Sequence, residues 1–357
     1  MHGDGIRTGT TTSNLSAQPT AKPDLWAAYR MRWRRRGLLW RSFRSRHQLT
    51  SVTDRTDLIK RGDVLVVMTL RNEITRLPYT LAHYRRLGVG QFLIVDNGST
   101  DGSEAYLAQQ PDVSLWKTDR SYRAARFGLD WMTWLQMKYA HDHWCLMVDA
   151  DELLIYAHHD KRDLPALTSW LDGRGQRVFG AHMLDVYPKG PLSEARYEAG
   201  QDPMEVLQWF DPGPYRARRQ VPLGNLWVQG GMRERVFFAD KPKRSPTLNK
   251  IPLVRWSRRY AYVNSCHSAL PARLNHGYDG PCGDAPSGVL LHTKFLPEIV
   301  AKSEIEKQRK QHFHAPAKFD HYYDEIAASP DLWSEESRKF ENWQQLEALG
   351  LMNSGGW

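Results

Sequence analysis

The sequence predicts an α/β fold, a mixed sheet flanked by helices, and two observations carry that reading. Apolar runs of strand type alternate with helical stretches between residues 63 and 154, the order expected of a right-handed parallel α/β sheet. Three of those runs end in acidic or Arg-Asn-Glu groups, which places polar chemistry on one edge of the sheet.

The first strand is Asp63 to Leu70, closed by Arg71-Asn72-Glu73. Residues Ile74 to Leu87 read as a helix, with Leu77, Leu81, Tyr84 and Leu87 near the 3.6-residue period. Gly88 and Gly90 stop it. A second strand, Gln91 to Val95, runs into the polar turn Asp96-Asn97-Gly98-Ser99-Thr100-Asp101-Gly102-Ser103. A short helix through Tyr106 and Leu107 precedes a third strand, Val113 to Trp116, and a helical stretch covers about Ala124 to Ala140. The run from Trp144 to Val148 then meets Asp149-Ala150-Asp151-Glu152. On an extended strand Asp149 and Asp151 share one face. Carboxylates gathered there are costly unless solvated or bound to a cation. Hard oxygen ligands suit Mg²⁺ or Mn²⁺, which bridge to a phosphate more often than they sit in an all-protein cage.

The second half is less regular. Asp163 to Leu171 reads as a helix and Arg177 to Tyr187 as a strand carrying Asp185. Residues 189 to 224, rich in Pro, Gly and charge, are expected to form loops. Gly230-Gly231-Met232-Arg233-Glu234-Arg235 is a second polar group after an apolar strand, with glycines that let backbone approach a ligand. A surface hairpin of alternating charges is the other reading of that stretch. Gly288 to Phe295 is a further strand that brings His292 and Lys294 to its end. A charged helix is expected from Glu298 to Phe313, its end at Gln311 to His314 closing over the ligand.

Thr69-Leu70-Arg71-Asn72-Glu73, Asp96 to Gly102, and Asp149-Ala150-Asp151-Glu152 together resemble the ordered motifs of family 2-type glycosyltransferases, nearest to the bacterial branch with an Asp-x-Asp-Glu motif. The resemblance implies the GT-A fold, a Rossmann-like nucleotide-binding half joined to a smaller acceptor-binding half. It implies a nucleotide-sugar donor, Mn²⁺ or Mg²⁺, and a glycan or lipid-linked acceptor, with inversion at the anomeric carbon. By the same likeness Asp96 binds the nucleotide, Arg71, Asn72 and Glu73 lie by the nucleobase and ribose, and Asp101 belongs to the same set. Asp149 faces the ribose or donor sugar, and Asp151 holds the metal with Asp149 and His292 beside it. Arg233 and Lys294 are expected on phosphate, and Asp185 or Glu234 as the base. The Gln-x-x-Arg-Trp signature of processive synthases is missing, which favours single additions. A nucleotidyltransferase is disfavoured because Arg71-Asn72-Glu73 stands where a Gly-rich basic loop belongs.

The expected organisation is a disordered tail at 1–22, a basic aromatic segment at 23–60, a catalytic domain at 61–315 divided near 155, and a C-terminal helical extension at 316–357 with residues 353–356 disordered. The chain of 357 residues carries a net charge of +9. Eight arginines and one acid lie between Asp24 and Arg46, among Trp26, Tyr29, Trp33, Trp40 and Phe43. That composition suggests an interfacial helix for an anionic membrane, with Arg30 to Arg46 as the contact. Packing on the domain with solvated arginines is the plainer reading, and no nucleic acid is expected. A non-catalytic membrane- or nucleic-acid-associated protein using this segment is the alternative function. The three scattered cysteines give no disulfide framework. With no apolar stretch of transmembrane length and no signal-peptide core, the expected location is cytoplasmic, or peripheral on the inner face of the plasma membrane.

Overall fold

A computed structural model describes residues 25–300, 302–303 and 320–357. The expected tail at 1–22 and most of the expected helix beyond Glu298, including Gln311 to His314, lie outside the described residues. The helices are α1 (Leu25–Ser45), α2 (Leu77–Arg86), α3 (Ser103–Ala108), α4 (Leu129–Tyr139), α5 (Leu164–Gly173), α6 (Gly231–Phe237), α7 (Asp320–Ala327) and α8 (Trp343–Ala348). The strands of the first half are β1 (Thr50–Thr53), β2 (Val64–Leu70), β3 (Val89–Asp96), β4 (Val113–Lys117), β5 (Trp144–Met147) and β6 (Glu152–Ile155). Those of the second are β7 (Val178–Tyr187), β8 (Trp209–Phe210), β9 (Tyr215–Gln220), β10 (Asn225–Gly230), β11 (Asn249–Arg255), β12 (Ala261–Tyr262), β13 (Ala269–Leu270), β14 (Ser287–His292) and β15 (Arg338–Lys339).

Among the described residues eleven strands form one mixed sheet in the order β1-β4-β3-β2-β5-β11-β7-β14-β6, with β8 and then β15 added beside β7. Strands β2, β3, β4 and β5 are mutually parallel. Strand β11 runs against both β5 and β7, so β7 and its parallel neighbour β14 point the same way as β5. The carboxyl ends of β2, β3, β5, β7 and β14 therefore share one edge. The α/β class and helix-flanked mixed sheet expected from the sequence are present, in keeping with a Rossmann-like sheet of GT-A type.

Alternation along the central strands explains their continuous apolar runs. Val64, Val66 and Met68 of β2 pack with Leu77, Leu81 and Tyr84 of α2, while Leu65 and Val67 pack with Leu129, Trp131 and Leu135 of α4. Both faces of β2 are thus covered, and all seven of its residues are buried.

Several boundaries differ from expectation for local reasons. Helix α2 starts at Leu77 because Pro78 belongs in a first turn, where its missing N–H costs nothing. Helix α4 starts at Leu129 because Arg126, Phe127 and Gly128 take positive φ of 54°, 59° and 75°. A Cβ on Gly128 would also lie 2.8 Å from the Thr69 hydroxyl. Residues 189–224 are not all loop, since β8 joins β7 and β9 pairs with β10. The C-terminal residues are ordered: the Ser287 amide donates to the Asn353 carbonyl at 2.9 Å and Trp357 packs 5.7 Å from Tyr156. The polar group after Gly230 is helix α6, not a hairpin.

Candidate active site

Strand β5 ends at Met147, and the Glu152 amide donates to the Asp149 carbonyl at 3.1 Å to close a turn. The turn separates the two aspartates, which the sequence placed on one strand face. Asp149 faces Lys250 of β11, whose ammonium lies 3.2 Å from Asp149 Oδ2 and also contacts Glu152 Oε1. Asp151 faces the other way, and its Oδ2 lies 3.3 Å from His292 Nε2.

Register explains why these groups meet. His292 is paired with Asp185 across β14 and β7, and with Glu152 across β14 and β6. Asp185 Oδ1 accepts from His292 Nδ1 at 2.7 Å and also holds Arg233 of α6. The Arg233 guanidinium stands 3.1 Å from His292 Nδ1 as well. In the thread Arg233–Asp185–His292–Asp151 the first three side chains are nearly out of reach of water, while that of Asp151 is 24% exposed. Burial alone would raise Asp151, but His292, Arg76 and Lys294 hold it well below the ordinary carboxylate value. Burial likewise opposes ionisation of Asp185, yet Arg233 and His292 keep it below the usual range. Burial opposes a charged His292, and the two aspartates outweigh it and raise the imidazole.

The strand ends of β2 and β3 are stitched together by backbone amides. Asn72 N–H donates to Ser99 Oγ at 2.9 Å, and its side-chain Oδ1 accepts from the Thr100 amide at 2.8 Å. Asp101 accepts from the amides of Ile74 and Ser103, both at 3.0 Å. These bonds use Asn72 and Asp101 to shape the loop, a structural task beside the ligand role expected for both. Asp96 is fully buried; its Oδ1 accepts from the Ser99 amide at 2.8 Å, while Oδ2 has no partner among the described residues. Arg71 Nη1 donates to the Asn97 carbonyl at 3.1 Å, and its buried Nε is likewise without a partner there.

Two cations were not singled out by the sequence. Lys250 is one. Arg76 is the other: it donates to the Thr293 carbonyl at 2.8 Å and to Glu298 at 3.0 Å, and lies 3.2 Å from Glu73. Glu73 also meets Lys302 at 3.0 Å, so its carboxylate is engaged by Arg76 and Lys302.

Other residues singled out in the sequence have partners of their own. The glycines before Arg233 serve packing, since a Cβ on Gly230 would strike the Pro214 carbonyl and one on Gly231 the Tyr215 hydroxyl. Arg233 is committed to Asp185 rather than directed at phosphate. Asp185 lies behind His292 with its charge neutralised, which makes it a poor proton acceptor for substrate. Glu234 is held by Arg216 through two contacts of 2.7 Å. Lys294 stands over the Tyr322 ring at 5.2 Å.

Among the described residues no group of three or more His, Cys, Asp or Glu converges on one point, so Asp149 does not join Asp151 and His292. A facing carboxylate and imidazole remain, the imidazole backed by a second carboxylate, which is the usual support of a metal-binding histidine. Two protein donors fit a cation that takes its other ligands from phosphate and water.

No protein-family model matches the chain, nor does any curated protein. Solved structures give partial likenesses. A mannosyltransferase from Pyrobaculum calidifontis, in complex with GDP-Man and Mn²⁺, is 18% identical with a TM-score of 0.25, over 46% of this chain and 47% of that one. This chain thus spans about half that protein's length. A 4-diphosphocytidyl-2C-methyl-D-erythritol synthase is 18% identical with a TM-score of 0.24, over 40% of this chain and 66% of that one. A putative glucose-1-phosphate thymidylyltransferase from Bacillus anthracis is 8% identical with a TM-score of 0.28, over 81% of this chain and 95% of that one.

Proposed function

We propose that the chain is a glycosyltransferase that moves a sugar from a nucleotide-sugar donor to a glycan or lipid-linked acceptor, with inversion and with help from Mn²⁺ or Mg²⁺. The destination suggested by the Asp-x-Asp-Glu likeness is bacterial surface or exopolysaccharide. One observation carries the reading: Asp151 and His292 face each other at 3.3 Å on the edge where five strand ends meet.

In this proposal Asp151 and His292 hold the cation. Asp185 accepts a hydrogen bond from His292 Nδ1–H, which leaves Nε2 to present its lone pair, and Arg233 neutralises Asp185. Asp185 and Arg233 are therefore positioning residues. A divalent ion held by Asp151 and His292 would supply positive charge for the departing diphosphate. Lys294 adds a further positive charge for those oxygens. The unpartnered Oδ2 of Asp96 and Nε of Arg71 are assigned to nucleoside atoms, because buried polar atoms rarely stay unsatisfied. Asp149, half exposed and steadied by Lys250, is assigned to the ribose or donor sugar. Glu234 is left as the candidate base for the acceptor hydroxyl, a role that requires the acceptor to draw its carboxylate away from Arg216.

A thermal-shift screen of UDP-, GDP- and dTDP-sugars with and without Mn²⁺ tests the proposal. A donor at about a hundred times its Kd adds roughly 2.7 kcal/mol of stability, a rise of several degrees. One donor should give that rise with Mn²⁺ and lose it in Asp151→Asn. No rise with any donor would overturn the reading.

A further inference from the structure

Helix α1 has two opposed faces. Leu38, Ser42 and Ser45 follow helical spacing on one of them, and both serines are buried. The helix is seated on α4, where Phe43 meets Trp134 edge-on at 5.7 Å and Arg41 pairs with Asp130. Residues 26, 33 and 40 are two turns apart, so they form a line along the far side. Trp26 is 66% exposed, Trp33 53% and Trp40 62%. Tyr29 joins them and stacks on Trp26 at 5.5 Å.

A helix fastened by one face ordinarily carries polar residues on the other. Here the outer face is aromatic, with Trp33 and Trp40 each more than half exposed. Exposed Arg30, Arg36 and Arg44 flank the line, with Arg36 lying 4.9 Å from the Trp33 ring centre. No acidic residue occurs in α1.

We propose that the outward face of α1 docks the protein on an anionic phospholipid surface. Indoles suit the boundary between headgroups and acyl chains, and guanidinium groups bind lipid phosphate. No helix among the described residues is long and apolar enough to cross a membrane, so the contact is peripheral. A second copy of the chain would set one guanidinium band against another. A nucleic-acid duplex would meet the arginines and leave the indoles in water.

The test is co-sedimentation of the full chain with phosphatidylcholine vesicles, with and without phosphatidylglycerol and without any sugar donor. Binding should require the anionic lipid and weaken as salt is raised. Three basic residues near such a surface correspond to on the order of a hundredfold in affinity. Arg30→Gln/Arg36→Gln/Arg44→Gln should lose about that much, and Trp26→Ser/Trp33→Ser/Trp40→Ser should lose at least tenfold, both with wild-type circular dichroism. Equal affinity for neutral vesicles, or binding unchanged in the folded triple variants, would overturn the proposal. So would lipid-free self-association abolished by the tryptophan variant, or retention of single-stranded oligonucleotide in place of vesicles.

Discussion

Replacing Lys250 by Met should destabilise the protein by about 3–5 kcal/mol, the usual cost of leaving a buried charge without its partner. Lys250 is only 4% exposed in its side chain and touches Glu152, which is 1% exposed, so removal strands that carboxylate away from water. Asp149 is 48% exposed and lies 3.2 Å from the ammonium, and water screens it. Its share of the loss is therefore below about 1 kcal/mol. Burial opposes a charged Lys250, yet Asp149, Cys266 and Glu152 raise its pKa well above the ordinary lysine value, while burial pushes Glu152 up to about 7 against the pull of Lys250. A domain has only about 5–15 kcal/mol in all, and the midpoint of urea unfolding should fall visibly. Lys250→Met/Glu152→Gln removes the stranded charge as well and should recover more than half of the loss. A single variant within 1 kcal/mol of wild type, or strict additivity in the double variant, would refute the reasoning.

Asp185→Asn should leave a folded protein whose Mn²⁺ affinity is lower by about 10- to 100-fold, as for other supports of a metal-binding histidine; calorimetry of the ion with nucleoside diphosphate checks it. Glu234→Gln should lower sugar transfer a hundredfold or so if it removes the acceptor proton, while donor binding in the thermal-shift assay stays unchanged. His182 is fully buried, has no partner for either ring nitrogen among the described residues, and is pushed down to about 3 by burial. Unfolding lets it take a proton below about pH 6.5, so its presence costs stability as pH falls from there towards 3. The stability advantage of His182→Phe over wild type should thus be flat above pH 7 and grow by about 1.4 kcal/mol per pH unit below 6. A pH-independent difference in urea unfolding would show that the imidazole finds a partner.

Strands β2, β3, β4, β7 and β14 were legible because apolar runs and their polar ends are local signals. Strand β11 was not. Lys250 and Pro252 interrupt its apolar pattern, and Pro argues against a central strand. The register shift between Lys250 and Leu253 is the irregularity that accommodates it. The same strand supplies the cation beneath Asp149, so missing it hid half of the local electrostatics. Arg76 escaped for a related reason. It looks like an ordinary residue at the start of a helix, while Thr293 and Glu298 reach it from the far end of the chain. The facing pair Asp151 and His292 could be named from strand ends, but not the turn that sends Asp149 to Lys250. That choice depends on β11, which no nearby residue announces.

The most direct measurement of the central proposal is a titration of Mn²⁺ into the protein, followed by electron paramagnetic resonance of the free ion, with and without the donor selected by thermal shift. Two protein donors alone hold the ion weakly, so tight binding should appear only when a diphosphate completes the site, and Asp151→Asn or His292→Ala should abolish it. Mn²⁺ uptake that ignores the diphosphate, or that survives both substitutions, would contradict the account.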